Sequence, residues 1–187
     1  MNSLIELADK YMTDKGHFFF GNKRQKGHLY ADVYDKLFTD MRDKPIKLLE
    51  LGISRGASLL MWNEYFSVGK ITGVDISLRL VKKNTPKDVE GWGWKELLKH
   101  DSIKMFAFGQ TDEAKLKELD HPFDIIIDDA SHQYTDQLRS FQILYPMLNK
   151  GGYYVVEDIS NTKNVPIDFL ATPLDLKLPH LIIFHKE

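Results

Sequence analysis

The sequence predicts an α/β fold: a doubly wound, mostly parallel sheet carrying a short helical N-terminal extension. Three observations predict it. From Pro45 onward, apolar runs of strand length alternate with segments of helical spacing. Glycines such as Gly52 and Gly109 stand where runs end. Acidic residues Glu50, Asp75, Asp129, Glu157 and Asp158 gather at the carboxyl ends of the runs. Strands alternating with helices bury a parallel sheet on both faces, and right-handed crossovers restrict the order to a doubly wound one. In such sheets ligands sit beyond the strand carboxyl ends, where the order reverses.

The elements follow in order. Leu4, Leu7, Ala8 and Tyr11 have helical spacing behind Ser3, an N-cap residue, so residues 3–12 read as a helix. A loop with Phe18, Phe19 and Phe20 follows; these are a lid, an oligomer contact or core, with core or interface favoured. Residues 31–41 form a second helix. Strands are expected at 46–51, 70–75, 103–108, 123–127, 153–156 and 181–185. Helices are expected at 57–65, 112–119 and 133–148. Trp62 reads as core, whereas Trp92 and Trp94, between glycines, suit a pocket wall or ordinary packing. Pro166, Pro173 and Pro179 argue against a long helix after the fifth strand, leaving a more open acceptor pocket. Residues 1–44 are expected to form the extension or lid and residues 45–187 the sheet domain, together one compact body.

Composition narrows the function classes. The 187 residues carry a net charge of −2, with 28% charged and 43% hydrophobic. No basic excess suggests nucleic acid or an anionic membrane as partner. The absence of cysteine excludes disulfides, thiolate metal sites and cysteine nucleophiles, and it fits the cytoplasm. The N-terminus lacks a signal-peptide pattern, and no apolar run reaches the roughly 18–20 residues that span a bilayer.

The loop after the first strand, Glu50 to Ser58, contains Gly52 and Gly56 but not G-x-G-x-x-G, because Ser54 occupies the middle position. The glycines are turn-makers or allow a ligand to approach the backbone. Glu50 suits a cationic ligand, such as a sulfonium bearing an amino group, better than a pyrophosphate. Asp75 closes the second strand, where a carboxylate accepts from both hydroxyls of a ribose. Gln110 and Asp112, after the third strand, are placed to read a base edge.

Asp128-Asp129 and Glu157-Asp158 end neighbouring strands and bring up to four carboxylates to one crevice. Like charges so close raise one another's pKa, and a divalent cation removes that cost. Hard oxygen ligands favour Mg²⁺, Mn²⁺ or Ca²⁺ over zinc. Asp129, Glu157 and Asp158 are the candidate ligands. Asp128 either caps the following helix or contacts a cofactor. His132, three residues past Asp129, is a candidate general base, with an ordinary pKa of about 6.5. Its alternative role is to cap the helix start.

Together, Glu50-x-Gly52-x-x-x-Gly56, Gly73-Val74-Asp75, the polar loop after strand three and Asp128-Asp129 resemble the class I methyltransferase fold, which is Rossmann-like. The runs ADKYMTDKG at 8–16, GHLY at 27–30, GASLLMW at 56–62, IIDDASH at 126–132 and VVED at 155–158 are similar to the metal-dependent O-methyltransferases of macrolide sugars, the mycinamicin and tylosin tailoring family. The resemblance spans roughly residues 8–160. It implies S-adenosyl-L-methionine held near Glu50, Gly52, Asp75, Gln110 and Asp112, with Ser54, Gly56, Ser58 and Asp128 as further cofactor candidates. Ser54 and Arg55 depart from a more glycine-rich loop. It also implies Mg²⁺, or Mn²⁺, on Asp129, Glu157 and Asp158, with His132 and Asp129 in the catalytic step. Thr13, Lys15 and His28 match the family's N-terminal motif. The implied reaction is O-methylation of a sugar hydroxyl in a glycosylated small molecule or polysaccharide. Alternatives are a catechol-like acceptor, a nucleotide-binding oxidoreductase, or a non-catalytic nucleotide- or S-adenosylmethionine-binding protein. The expected partner is a small-molecule or carbohydrate acceptor, without nucleic acid or membrane; a homo-oligomer is left open.

Overall fold

The computed structural model describes residues 2–17, 26–83, 93–159 and 180–187. Phe18–Phe20, Trp92 and the three prolines of the C-terminal stretch lie outside these residues. The chain divides into two compact units. The first comprises Met1–Ile46, Ile53–Ile71 and Leu78–Lys104; the second comprises Lys47–Gly52, Thr72–Ser77 and Met105–Glu187.

In the first unit, α1 (Leu4–Tyr11) starts with a complete capping box: Ser3 and Glu6 each bond the other's backbone N–H. Its apolar face, Leu4, Leu7 and Ala8, is fully buried. The second helix, α2 (Tyr30–Phe38), passes into a short 3₁₀ turn, Thr39–Met41, so the helix expected over 31–41 tightens in its last turn. The third, α3 (Ala57–Tyr65), is buried on nearly every face. Trp62 is core, as expected, with ring centroids of Tyr34 and Phe38 at 5.6 and 6.3 Å. Two short helices, α4 (Arg79–Lys83) and α5 (Trp94–Leu97), are the remaining helices among the described residues of the unit.

The strands are β1 (Lys47–Leu51), β2 (Lys70–Asp75), β3 (Ile103–Ala107), β4 (Phe123–Asp128), β5 (Leu148–Val156) and β6 (Ile182–His185). Their order is β3-β2-β1-β4-β5-β6. β1 runs parallel to β4, with Leu51 opposite Asp128, and β4 runs parallel to β5, with Ile127 opposite Val155. β6 is antiparallel at the edge, Val156 facing Ile182. The order therefore reverses between β1 and β4, as the doubly wound reading requires. In the second unit, α7 (Tyr134–Leu144) buries Phe141 against Tyr154 and Phe184, centroids 4.9 and 4.7 Å away. The helix expected over 133–148 stops at Leu144 because Pro146 lacks an N–H and enforces a 3₁₀ turn. β5 consequently starts at Leu148, five residues before the expected strand. A short helix, α6 (Glu113–Lys117), follows β3.

Candidate active site

The site lies in the second unit, at the carboxyl ends of β1, β2 and β4. Backbone bonds set the loops there: Gly52 N–H donates to Val74 O (2.7 Å), Asp129 N–H to Leu51 O (2.9 Å) and Phe108 N–H to Asp75 O (2.9 Å). Gly52 has φ +83°, and a Cβ there would overlap the Asp129 carbonyl oxygen and come within 2.5 Å of Ala130 Cα. Only glycine lets the β1 and β4 loops pass so closely.

The loops enclose a cavity of about 240 Å³, whose walls include Gly52, Asp75, Ile76, Phe108, Thr111 and Asp136. Asp75 Oδ1 accepts from Ser77 N–H at 3.1 Å, which orients the carboxylate. Ile76 is 82% exposed beside this carboxylate, a large apolar side chain spent on a cavity rim rather than on core. Ile76, Phe108 and Asp136 are wall residues that sequence reasoning missed. The signal for Ile76 was its place directly after Asp75.

Gln110 also borders the cavity, but its amide is turned inward. Nε2 donates to Asp128 Oδ1 (3.1 Å) and to Ser140 Oγ (3.1 Å), and Oε1 accepts from Ser131 N–H (2.8 Å). Asp128 is fully buried, and burial pushes its carboxyl up to about 7. Hydrogen bonds from Ser140 and the Ala130 backbone oppose that rise. Gln110 thus braces a buried carboxylate and the β4 loop. Asp112 lies off the cavity wall: its side chain caps α6 by accepting from Lys115 N–H at 3.3 Å.

Asp129, His132 and Asp158 converge, each offering one ligand atom within 4.8 Å of the others. His132 Nε2 lies 3.2 Å from Asp129 Oδ1, and Nδ1 lies 3.8 Å from Asp158 Oδ2. His132 (φ 56°) and Asp158 (φ 53°) both take left-handed backbone, a strained choice that turns their side chains out of regular structure. The hydrogen bond that His132 donates to Asp129 pushes the imidazole pKa up, against the smaller effect of burial. The two carboxylates fit a hard divalent cation, and the imidazole lies beside them. Glu157 stands apart from this trio, only 1% exposed, with its N–H donating to Asp128 O and its carbonyl held by Gln137 Nε2.

The remaining sequence candidates divide between the units. Glu50, on β1, is fully buried. Ser54, Gly56 and Ser58 belong to the first unit. There Ser54 takes a left-handed φ of 45°, Gly56 caps α3 with φ +83° against Leu97, and Ser58 is buried in the helix.

A methyltransferase-domain family model matches residues 49–159, more than half of the chain. The chain belongs to the methyltransferase-domain family. Its matched span holds Gly52, Asp75, Gln110 and the Asp129–His132–Asp158 trio. The methyltransferase domain is 34% identical over 166 residues to the 8-demethyl-8-(2-methoxy-alpha-L-rhamnosyl)-tetracenomycin-C 3'-O-methyltransferase of Streptomyces olivaceus, covering 83% of this chain and 36% of that protein. It is 31% identical over 166 residues to the mycinamicin VI 2''-O-methyltransferase of Micromonospora griseorubida, with the same coverage. Among solved structures, the MycE methyltransferase of the mycinamycin biosynthetic pathway, in complex with Mg, SAH and mycinamycin VI, superposes with a TM-score of 0.71 at 24% identity. That match covers 99% of this chain and 54% of MycE. The fold is thus the class I methyltransferase fold read from the sequence. The chain spans about a third of the length of these two curated relatives.

Proposed function

We propose that this chain is an S-adenosyl-L-methionine-dependent, divalent-metal-assisted O-methyltransferase acting on a sugar hydroxyl of a glycosylated small molecule. One observation carries the reading: a nucleoside-sized cavity bearing Asp75 and a carboxylate–imidazole trio share the loop after β4 of a methyltransferase-family domain. The curated relatives are named as O-methyltransferases of rhamnosyl tetracenomycin and of mycinamicin VI, and MycE was solved with Mg and SAH. Asp75 accepts from the ribose hydroxyls. Asp129 and Asp158 would hold Mg²⁺, or Mn²⁺; Glu157, the third ligand expected from the sequence, lies outside the trio. When bound, the donor supplies a sulfonium methyl and the cation lowers the pKa of the acceptor hydroxyl.

His132 then takes the hydroxyl proton at Nδ1, the ring nitrogen that Asp129 does not hold. Passage of the methyl from sulfur to that oxygen would be the bound donor's chemistry; this chain would contribute Asp75 at the ribose and His132 at the proton. His132→Ala should lower kcat for methyl transfer to a rhamnosyl acceptor by about 100-fold or more while leaving donor affinity within about twofold. Equal activity in this variant removes His132 from the reaction; transfer to a catechol but to no sugar reassigns the acceptor.

A further inference from the structure

The cavity wall assigns a role that the linear sequence gave to another residue. Gln110 stands where a base reader was expected, yet its amide oxygen and nitrogen are committed to Ser131, Asp128 and Ser140. Ser131 also lines the cavity, but its hydroxyl donates to Asp136 Oδ2 at 2.9 Å. The Asp136 carboxylate is therefore the second carboxylate of this wall, distinct from Asp75.

A carboxylate accepts only, and two oxygens offer about four lone-pair sites, so Ser131 leaves capacity for a further donor. Asp136 is also held firmly. It sits in the first turn of α7, its N–H donates to Gln133 O at 3.0 Å, and its carbonyl accepts from Ser140 Oγ at 2.8 Å. Apolar Ile76 and Phe108 on the same cavity suit the faces of a planar ring.

We infer that Asp136 is the specificity-determining residue for the purine, accepting a hydrogen bond from the 6-amino group of adenine and rejecting 6-oxo purines. The inference rests on the methyl-donor reading above. An acceptor-only side chain facing a carbonyl leaves two acceptors opposed, whereas an amine satisfies it. Gln110 is then a positioning residue: it holds Ser131, and Ser131 orients Asp136.

Calorimetric titration of the purified chain with S-adenosylhomocysteine and with S-inosylhomocysteine tests this without catalysis. The wild type should bind the adenosyl compound about tenfold or more tightly, as expected for one charged hydrogen bond. Asp136→Asn keeps the size and the Ser131 bond but adds a donor, so the ratio should fall about tenfold, toward one. No preference in the wild type overturns the inference, whether or not the variant folds. So does a ratio unchanged in Asp136→Asn, including one in which both affinities fall equally, which marks a structural residue. A folded wild type that binds neither compound overturns the methyl-donor reading and this inference with it.

Discussion

Gly52 meets the tightest steric demand at the site. Its φ of +83° and the Asp129–Ala130 backbone against it leave no room for a methyl group. Gly52→Ala should lower unfolding free energy by about 2 kcal/mol or more, read from the urea midpoint; an unchanged midpoint would mean that the β1 and β4 loops yield easily. Gln110 acts by contrast through a hydrogen bond. Replacing it with Ala removes the amide donor from fully buried Asp128 and should destabilise the fold by about 1–3 kcal/mol, and stability equal to wild type would remove it as a brace. The polar loop after strand three was legible as a polar feature at a strand end, where the structure puts a cavity, but the direction of the Gln110 amide was not. Its partners lie 18 and 30 residues away, so only the folded chain reveals that a buried carboxylate claims the amide first. Ile76 was hidden for the opposite reason: an isoleucine just past a strand end reads as core until its exposure is known.

Helix α1 was legible to its cap, because Ser3, Glu6 and the apolar spacing carry their signal within one turn. The contact that ties it down was not, since Glu64 lies on α3. Glu64 accepts hydrogen bonds from Lys10 and Tyr11. Burial pushes the Glu64 carboxyl up, yet these two bonds outweigh it and hold the pKa below the ordinary 4.5. A depressed folded pKa contributes stability that is present above the unfolded pKa and lost as pH falls through the folded one. Glu64→Gln should therefore be less stable than wild type at pH 7, by about 1 kcal/mol or less for so exposed a pair, and the gap should close below pH 4.5. Thermal melts across that range check it; a gap that is constant with pH would mean packing rather than charge. At α7 the error was of boundary: apolar spacing continues through Leu148, and Pro146 alone ends the helix early.

At the scale of the whole molecule, the alternation of strand and helix, the reversal between β1 and β4 and the acids at the strand ends were all written in order along the chain. They give the class I methyltransferase fold and the place of the site. What sequence spacing did not carry was the grouping within the acidic crevice, where His132 joins Asp129 and Asp158 through left-handed backbone at two of the three positions. No described helix is long and apolar enough to cross a membrane. The measurement that bears most directly on the account is calorimetry of the metal-stripped chain with S-adenosyl-L-methionine, repeated with Mg²⁺ and on Asp75→Ala and Asp129→Ala. Donor binding that is abolished in Asp75→Ala, with a separate Mg²⁺ heat that vanishes in Asp129→Ala, is the predicted result. A folded wild type that binds no S-adenosyl-L-methionine with or without Mg²⁺ would contradict it.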